Sequence, residues 1–177
     1  MSVLQFPPTH EEPKFDISVV IPTRGRKEPL KKCLETLIDK ATNVKKILLM
    51  FAFDNDDTES ISYFRDTIIP WMNERGCEFI CYEFDRMGYM RLNEYVNYLS
   101  VWASSHWVFF WNDDAVMLTD AWDEKISAHN GEFKLLSVHT NNDHPYSVFP
   151  IVPKEWINCL GHRSEEHTSE LQSRLHL

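Results

Sequence analysis

The sequence predicts an α/β domain built on a mostly parallel sheet. Three observations point there. Short apolar runs recur at strand length, I-S-V-V-I (17–21), I-L-L-M-F-A-F (47–53) and W-V-F-F-W (107–111), as in strands buried on both faces. Stretches with apolar residues at helical spacing lie between them. Each run also breaks at once into polar residues, P-T-R-G-R, D-N-D-D-T and N-D-D. In open parallel sheets that carboxyl edge is where ligands bind.

The elements follow in order. Residues 1–16 form a Pro- and Glu-containing leader, expected to be poorly ordered. The first strand, 17–21, is expected to stop at Pro22. Pro29 suits a first helical position, and Leu30, Cys33, Leu34, Leu37 and Ile38 then line one side of a helix over 29–40. After strand 47–53, Asp57 or Thr58 is expected to cap a helix carrying Ile61, Phe64, Ile68 and Met72, which Pro70 bends or ends. C-E-F-I-C-Y-E-F (77–84) alternates and reads as a third strand nearer an edge. Leu92, Tyr95, Val96, Leu99, Trp102 and Ala103 mark a third helix by their packing stripe. Strand 107–111 comes next, then a short helix with Trp122 and Ile126, capped by Thr119 or Asp120, with Asp123 suiting its dipole. F-K-L-L-S-V (133–138) is expected to be a fifth strand, and a short helix starts at Lys154.

Composition narrows the function classes. With 177 residues, 43% hydrophobic and 13% aromatic, the chain can bury the core of one domain. A formal charge of -9 argues against broad binding to nucleic acid, which needs clustered Lys and Arg. It leaves room for one small anionic ligand held through a metal. The four cysteines show no C-x-x-C spacing, and Cys77 and Cys81 on one face of a strand stand too far apart to bridge, so reduced buried thiols are expected. The first residues lack a basic stretch followed by an apolar one, and no apolar run nears the ~20 residues of a membrane span. A cytoplasmic protein is expected, or one peripheral at a membrane in a longer form.

The polar strand ends carry the candidate chemistry. Asn112, Asp113 and Asp114 offer oxygen ligands to a hard divalent cation, and such a cation suits a phosphate; the same residues also commonly end strands as a plain turn. Arg24 and Arg26 flank Gly25 and can grip phosphate in a bidentate way, or else form a solvated basic loop. Asp54, nearest its strand end, is a better functional candidate than Asp57. Gly88 permits a close turn, with Arg86 and Arg91 adding positive charge. His139 and His144 frame a loop, where loop histidines are more often bland than ligands. The absence of G-x-G-x-x-G after a strand disfavours a Rossmann site, and the absence of G-x-x-x-x-G-K-[ST] excludes a P-loop.

With these pieces in hand, the chain resembles the family 2 glycosyltransferases of the GT-A fold. The resemblance runs from Ile17 to about His162 and rests on I-S-V-V-I-P-T-R-G-R, A-F-D-N-D-D-T, G-Y-M-R-L-N-E, V-F-F-W-N-D-D-A-V and A-W-D-E, in the family's order. It implies a three-layer α/β/α sandwich over residues 17–162. It also implies a UDP-, GDP- or dTDP-sugar donor, Mg²⁺ or Mn²⁺, and inverting transfer to a saccharide, lipid or protein hydroxyl. By resemblance Pro22, Thr23 and Arg24 line the nucleotide pocket, and Asp54 faces the base. Asn112 and Asp114 fall on the ends of the D-x-D metal motif, with Asp113 between them as a helper. Arg26, Gly88, Arg91 and Asn93 complete the candidate donor-binding set. Two departures stand out: the first acid of D-x-D is Asn112, and Leu92 separates Arg91 from Asn93 where the family's basic residue directly precedes the asparagine.

From Arg163 the chain reads R-S-E-E-H-T-S-E-L-Q-S, which resembles an in-frame translation of a sequencing adapter. Residues 163–177 are therefore expected to be non-native, and a natural protein is expected to continue past His162. The family's general base is expected in that continuation, so this fragment is expected to keep donor binding without catalysis. Two rivals remain. A sugar-phosphate nucleotidylyltransferase wants a glycine-rich basic loop after the first strand, and P-T-R-G-R has one glycine. A non-catalytic α/β binding module would use the acids only as caps and turns.

Overall fold

The computed structural model describes residues 12–140 and 148–160. His144, His162, the tail 163–177 and most of the expected leader, residues 1–11, lie outside these residues. Among the described residues five strands form one sheet in the order β3-β2-β1-β4-β5. They are β1 (Phe15–Thr23), β2 (Ile47–Asp54), β3 (Glu78–Phe84), β4 (Ser105–Phe110) and β5 (Ile151–Pro153). The first four are mutually parallel and β5 is antiparallel to β4. The helices are α1 (Lys27–Asp39), α2 (Thr58–Tyr63), α3 (Ile69–Glu74), α4 (Leu92–Trp102), α5 (Trp122–Ser127) and α6 (Lys154–Leu160).

The strands are sandwiched between two apolar layers, as the unalternating runs require. Ile17, Val19, Ile21, Phe51 and Phe109 point to one face, where Leu34 and Leu37 of α1, Met72 of α3 and Trp122 of α5 cover them. Val20, Leu48, Met50 and Val108 point to the other, under Tyr95 and Leu99 of α4, with Ile157 of α6 packed alongside. Trp107, Phe51 and Phe109 are fully buried, each contributing roughly 1.5–3 kcal/mol by removal from water. The α/β/α sandwich and its mostly parallel sheet stand as the sequence predicts, and β3 lies at an edge.

Several local expectations are corrected. Strand β1 starts at Phe15 and continues through Pro22 to Thr23. Alternate residues of a strand bond the same neighbour, and Val20 faces β4 by accepting from the Trp111 N–H (3.0 Å). Pro22 is next on that side, and paired register with β4 has ended at Val20–Phe110, so its missing N–H costs no ladder bond. Helix α1 begins two residues before Pro29, which sits in the first turn where N–H groups lack intrahelical partners. Pro70 neither bends the chain away nor ends it. A π-helical turn at Phe64–Ile68 widens the helix just ahead of it and α3 continues.

Residues 133–138 are not a strand. They contribute one antiparallel bridge, Leu136 to Ile151. The next residue of β5 facing that way is Pro153, which has no N–H to extend the pairing, and Phe133 is exposed. Thr119 and Asp120 do not cap α5; its N-cap is Ala121, in left-handed conformation (φ 52°). Asp120 pairs with Lys40 (2.6 Å) instead. Asp123 does sit in the first turn, buried, and its two oxygens accept from the Thr42 and Asn43 N–H groups at 2.8 Å. Cys77 lies just outside β3, so it does not share that strand with Cys81; all four cysteines are free, but only Cys33 and Cys77 are buried, while Cys81, on the edge strand, and Cys159 are exposed.

Candidate active site at the β1–β4 switch point

The chain runs β1, β2, β3 outward in one direction, then returns to place β4 on the other side of β1. At such a reversal the connections from the two carboxyl ends diverge, leaving a crevice. Here the loop 24–26 leaves β1 toward α1, while residues 112–114 leave β4. Arg24 and Arg26 reach to opposite sides.

Toward β2, Arg24 Nη1 donates to Asp54 Oδ2 (2.9 Å), and its guanidinium forks onto Asp56, with Nη2 to Oδ2 at 3.0 Å. The bond to Asp56 is the main reason the Arg24 pKa rises and the Asp56 carboxyl titrates below its ordinary range. Asp54 is buried. Its second oxygen accepts from the Tyr95 hydroxyl, which itself accepts from the Met87 N–H (2.9 Å). Burial, then the bond to Asp54, pushes the Tyr95 phenol up. Asp57 caps α2 by accepting from the Ser60 N–H (3.3 Å), as expected, and also accepts from the Gly25 N–H (2.7 Å). Gly25 (φ 65°) occupies the left-handed region that a side chain disfavours.

Toward β4, Arg26 Nη1 donates to Asp113 Oδ1 (3.3 Å) and contacts Asp114 more closely. Asp113 is buried and Asp114 half-exposed. Burial pushes the Asp113 carboxyl up, against the pull of Thr23, Arg26 and the Arg24 N–H. The buried Thr23 hydroxyl makes no hydrogen bond of good geometry, although it stands close enough to Asp113 to favour the ionised form. Helix α1 holds this tip. The Cys33 thiol donates to the Asn112 carbonyl (3.4 Å) and accepts from Trp111 Nε1 (3.2 Å). Thr36 Oγ1 accepts from the Met117 N–H (3.0 Å). Burial pushes the Cys33 thiol up to about 12, so it serves as a neutral brace.

Of the residues singled out in the sequence, Thr23, Arg24, Arg26, Asp54, Asp113 and Asp114 meet around this loop, with Pro22 on the strand leading into it. Gly88 starts the turn before α4 (φ 78°). Arg91, just ahead of α4, pairs with Glu94 in its first turn (2.5 Å between Nη2 and Oε2). His139 is exposed. Tyr95 belongs to the packing stripe of α4 and also to the site; the signal in the sequence is a hydroxyl in an otherwise apolar stripe, which needs a partner when buried. Asp56 and the braces Cys33 and Thr36 carried no signal of their own.

The donor set bears on the metal. Among the described residues no group of three or more His, Cys, Asp or Glu clusters as a metal cage. Two carboxylates beside an amide do fit Mg²⁺ or Mn²⁺, which take one or two protein carboxylates and complete their shell with water and phosphate oxygens.

Solved structures share this architecture. The fold is GT-A-like. A mannosyltransferase from Pyrobaculum calidifontis, PcManGT, in complex with GDP-Man and Mn²⁺, matches 85% of this chain with a TM-score of 0.65 at 14% identity. Residues 1–349 of S. aureus TarS match 82% with a TM-score of 0.59 at 13% identity. The apo-form glycosyltransferase GlyE of Streptococcus pneumoniae TIGR4 matches 90% with a TM-score of 0.59 at 11% identity. The chain spans about half the length or less of these structures, 47%, 49% and 39%. No family model matches the chain, and no curated protein matches it in sequence. Among the described residues no helix is long and apolar enough to cross a membrane.

Proposed function

We propose that these residues bind the nucleotide-diphosphate sugar donor of a family 2-type, inverting glycosyltransferase, with Mg²⁺ or Mn²⁺. One observation carries the reading: a single loop after β1 sends one arginine to the acids of β2 and another to the acids of β4, at the switch point of a GT-A-like sheet. TarS has been solved with UDP and with UDP-GlcNAc, and PcManGT with GDP-Man and Mn²⁺, which supports a nucleotide-sugar donor here.

In this reading Asp54 faces the base, held in place by Tyr95 and Arg24. Pro22 and Thr23 floor the nucleotide pocket. Arg24 and Arg26 supply positive charge to the phosphates. Asp114, Asp113 and the Asn112 amide would hold the cation, which would supply positive charge to offset that of a leaving diphosphate. Gly88, Arg91 and Asn93 belong to the proposed set on the resemblance alone. The proposal covers donor binding, and the base that activates an acceptor is assigned to none of the described residues.

Calorimetric titration of UDP and of GDP with Mn²⁺ tests it. Metal-dependent binding is expected, and Asp114→Ala should abolish the metal dependence while the circular dichroism spectrum and Tm stay near native. A folded protein that binds neither nucleotide with Mn²⁺ defeats the reading. That outcome favours a non-catalytic module, which the full engagement of Asp54, Asp56 and Asp57 by neighbours would also suit.

A further inference from the structure

The acids of the β4 tip already hold a cation of the protein's own. Arg26 contacts both Asp113 and Asp114. Two adjacent carboxylates, one of them buried, are stabilised in their ionised form by a nearby positive charge. Any Mg²⁺ or Mn²⁺ drawn to the same oxygens must displace the guanidinium.

The surroundings make that exchange feasible. The Arg26 side chain is 48% exposed, so it can swing into solvent without uncovering the core. The backbone beside it need not move. Arg24 is fastened to Asp54 and Asp56, and the Gly25 N–H to Asp57. A lone cation gains little here, because no third carboxylate among the described residues completes a cage. With a diphosphate the balance changes. Phosphate oxygens complete the metal shell, and the displaced guanidinium finds an anion suited to bidentate contact.

We propose that Arg26 makes metal binding conditional on the diphosphate: it occupies Asp113 and Asp114 in the free protein and passes to the phosphates when donor and cation arrive together. This rests on the donor-binding reading above and adds to it an order of events. The two ligands become positively coupled, each raising the affinity of the other.

Free Mn²⁺, followed by electron paramagnetic resonance during titration of the 177-residue protein, tests this without any turnover. The native protein should bind Mn²⁺ weakly alone and much more tightly with UDP or GDP. Arg26→Gln should bind Mn²⁺ alone roughly five- to tenfold more tightly than native, the scale of one ion pair or a modest coupling, and should gain less from added nucleotide. If both proteins bind Mn²⁺ with nucleotide but Arg26→Gln binds Mn²⁺ alone no better than native, the gating role is lost and the donor site survives. If the native protein shows no Mn²⁺-dependent nucleotide binding, both ideas fall. Should Arg26→Gln not fold, Arg26→Met replaces it, since methionine keeps an unbranched stem of similar reach but carries no charge to hold the two acids. Raised Mn²⁺ affinity in that variant supports the proposal, and native affinity overturns it.

Discussion

Two acidic strand tips face the loop after β1, and they are built differently. At β2, Asp54 is buried, with one oxygen taken by Arg24 and the other by Tyr95, while neighbouring Asp57 fixes the Gly25 backbone. At β4, Asp113 and Asp114 share one half-exposed arginine, and the fixing is done from beneath, by Cys33 and Thr36 of α1 on the backbone of the loop. The first tip spends its side chains on structure. The second anchors its main chain and leaves its carboxylates exchangeable, which suits a recognition surface beside an ion-binding one.

The difference can be broken by mutation. Asp54→Ala should have the largest effect, leaving the Tyr95 hydroxyl without its acceptor and Arg24 without one of its two. Loss of about 2–3 kcal/mol in urea unfolding is expected, together with loss of nucleotide binding; a stability unchanged from native would show that the β2 tip is no better built than the β4 tip. Thr36→Val comes next. It keeps the side-chain shape but removes the acceptor of the Met117 N–H, so a loss of about 1 kcal/mol is expected. Mn²⁺-nucleotide affinity should fall with it, because the 112–117 loop loses a tether. Unchanged affinity at reduced stability would mean that α1 supports the fold and not the site.

The smallest effect concerns pH. The Asp56 carboxyl is depressed below 3.8 chiefly by Arg24. Its contribution is therefore present above 3.8 and is lost as pH falls through its lower folded value. Asp56→Asn should narrow the gap in Tm to the native protein as pH drops from 6 to 3. Added salt should narrow it as well, since the pair is exposed. A gap independent of pH would remove the ion pair from the account.

Much of this was legible from residues alone. Runs such as 47–53 and 107–111 have no polar side and are of strand length, so they read as interior strands, and an acid that ends such a run falls at the sheet edge. What stayed hidden depends on partners distant in sequence. Nothing in F-K-L-L-S-V reveals that the edge of β4 is already filled by Ile151–Pro153, or that Pro153 stops further pairing. The cap expected at Thr119 or Asp120 gave way because Asp120 pairs with Lys40 and the Ala121 N–H with the Lys40 carbonyl, across the fold. Arg24 and Arg26 read alike in the sequence. Only the strand order sends one left and the other right.

Pro22 carries a last consequence. A proline on the side where β4 has departed offers no N–H there, so any further zipping of the two strands would gain one hydrogen bond fewer. The opening of the site thus coincides with a position in β1 that has no donor to close it. Shape change on ligand capture should then be confined to side chains such as Arg26, with the sheet as a fixed frame.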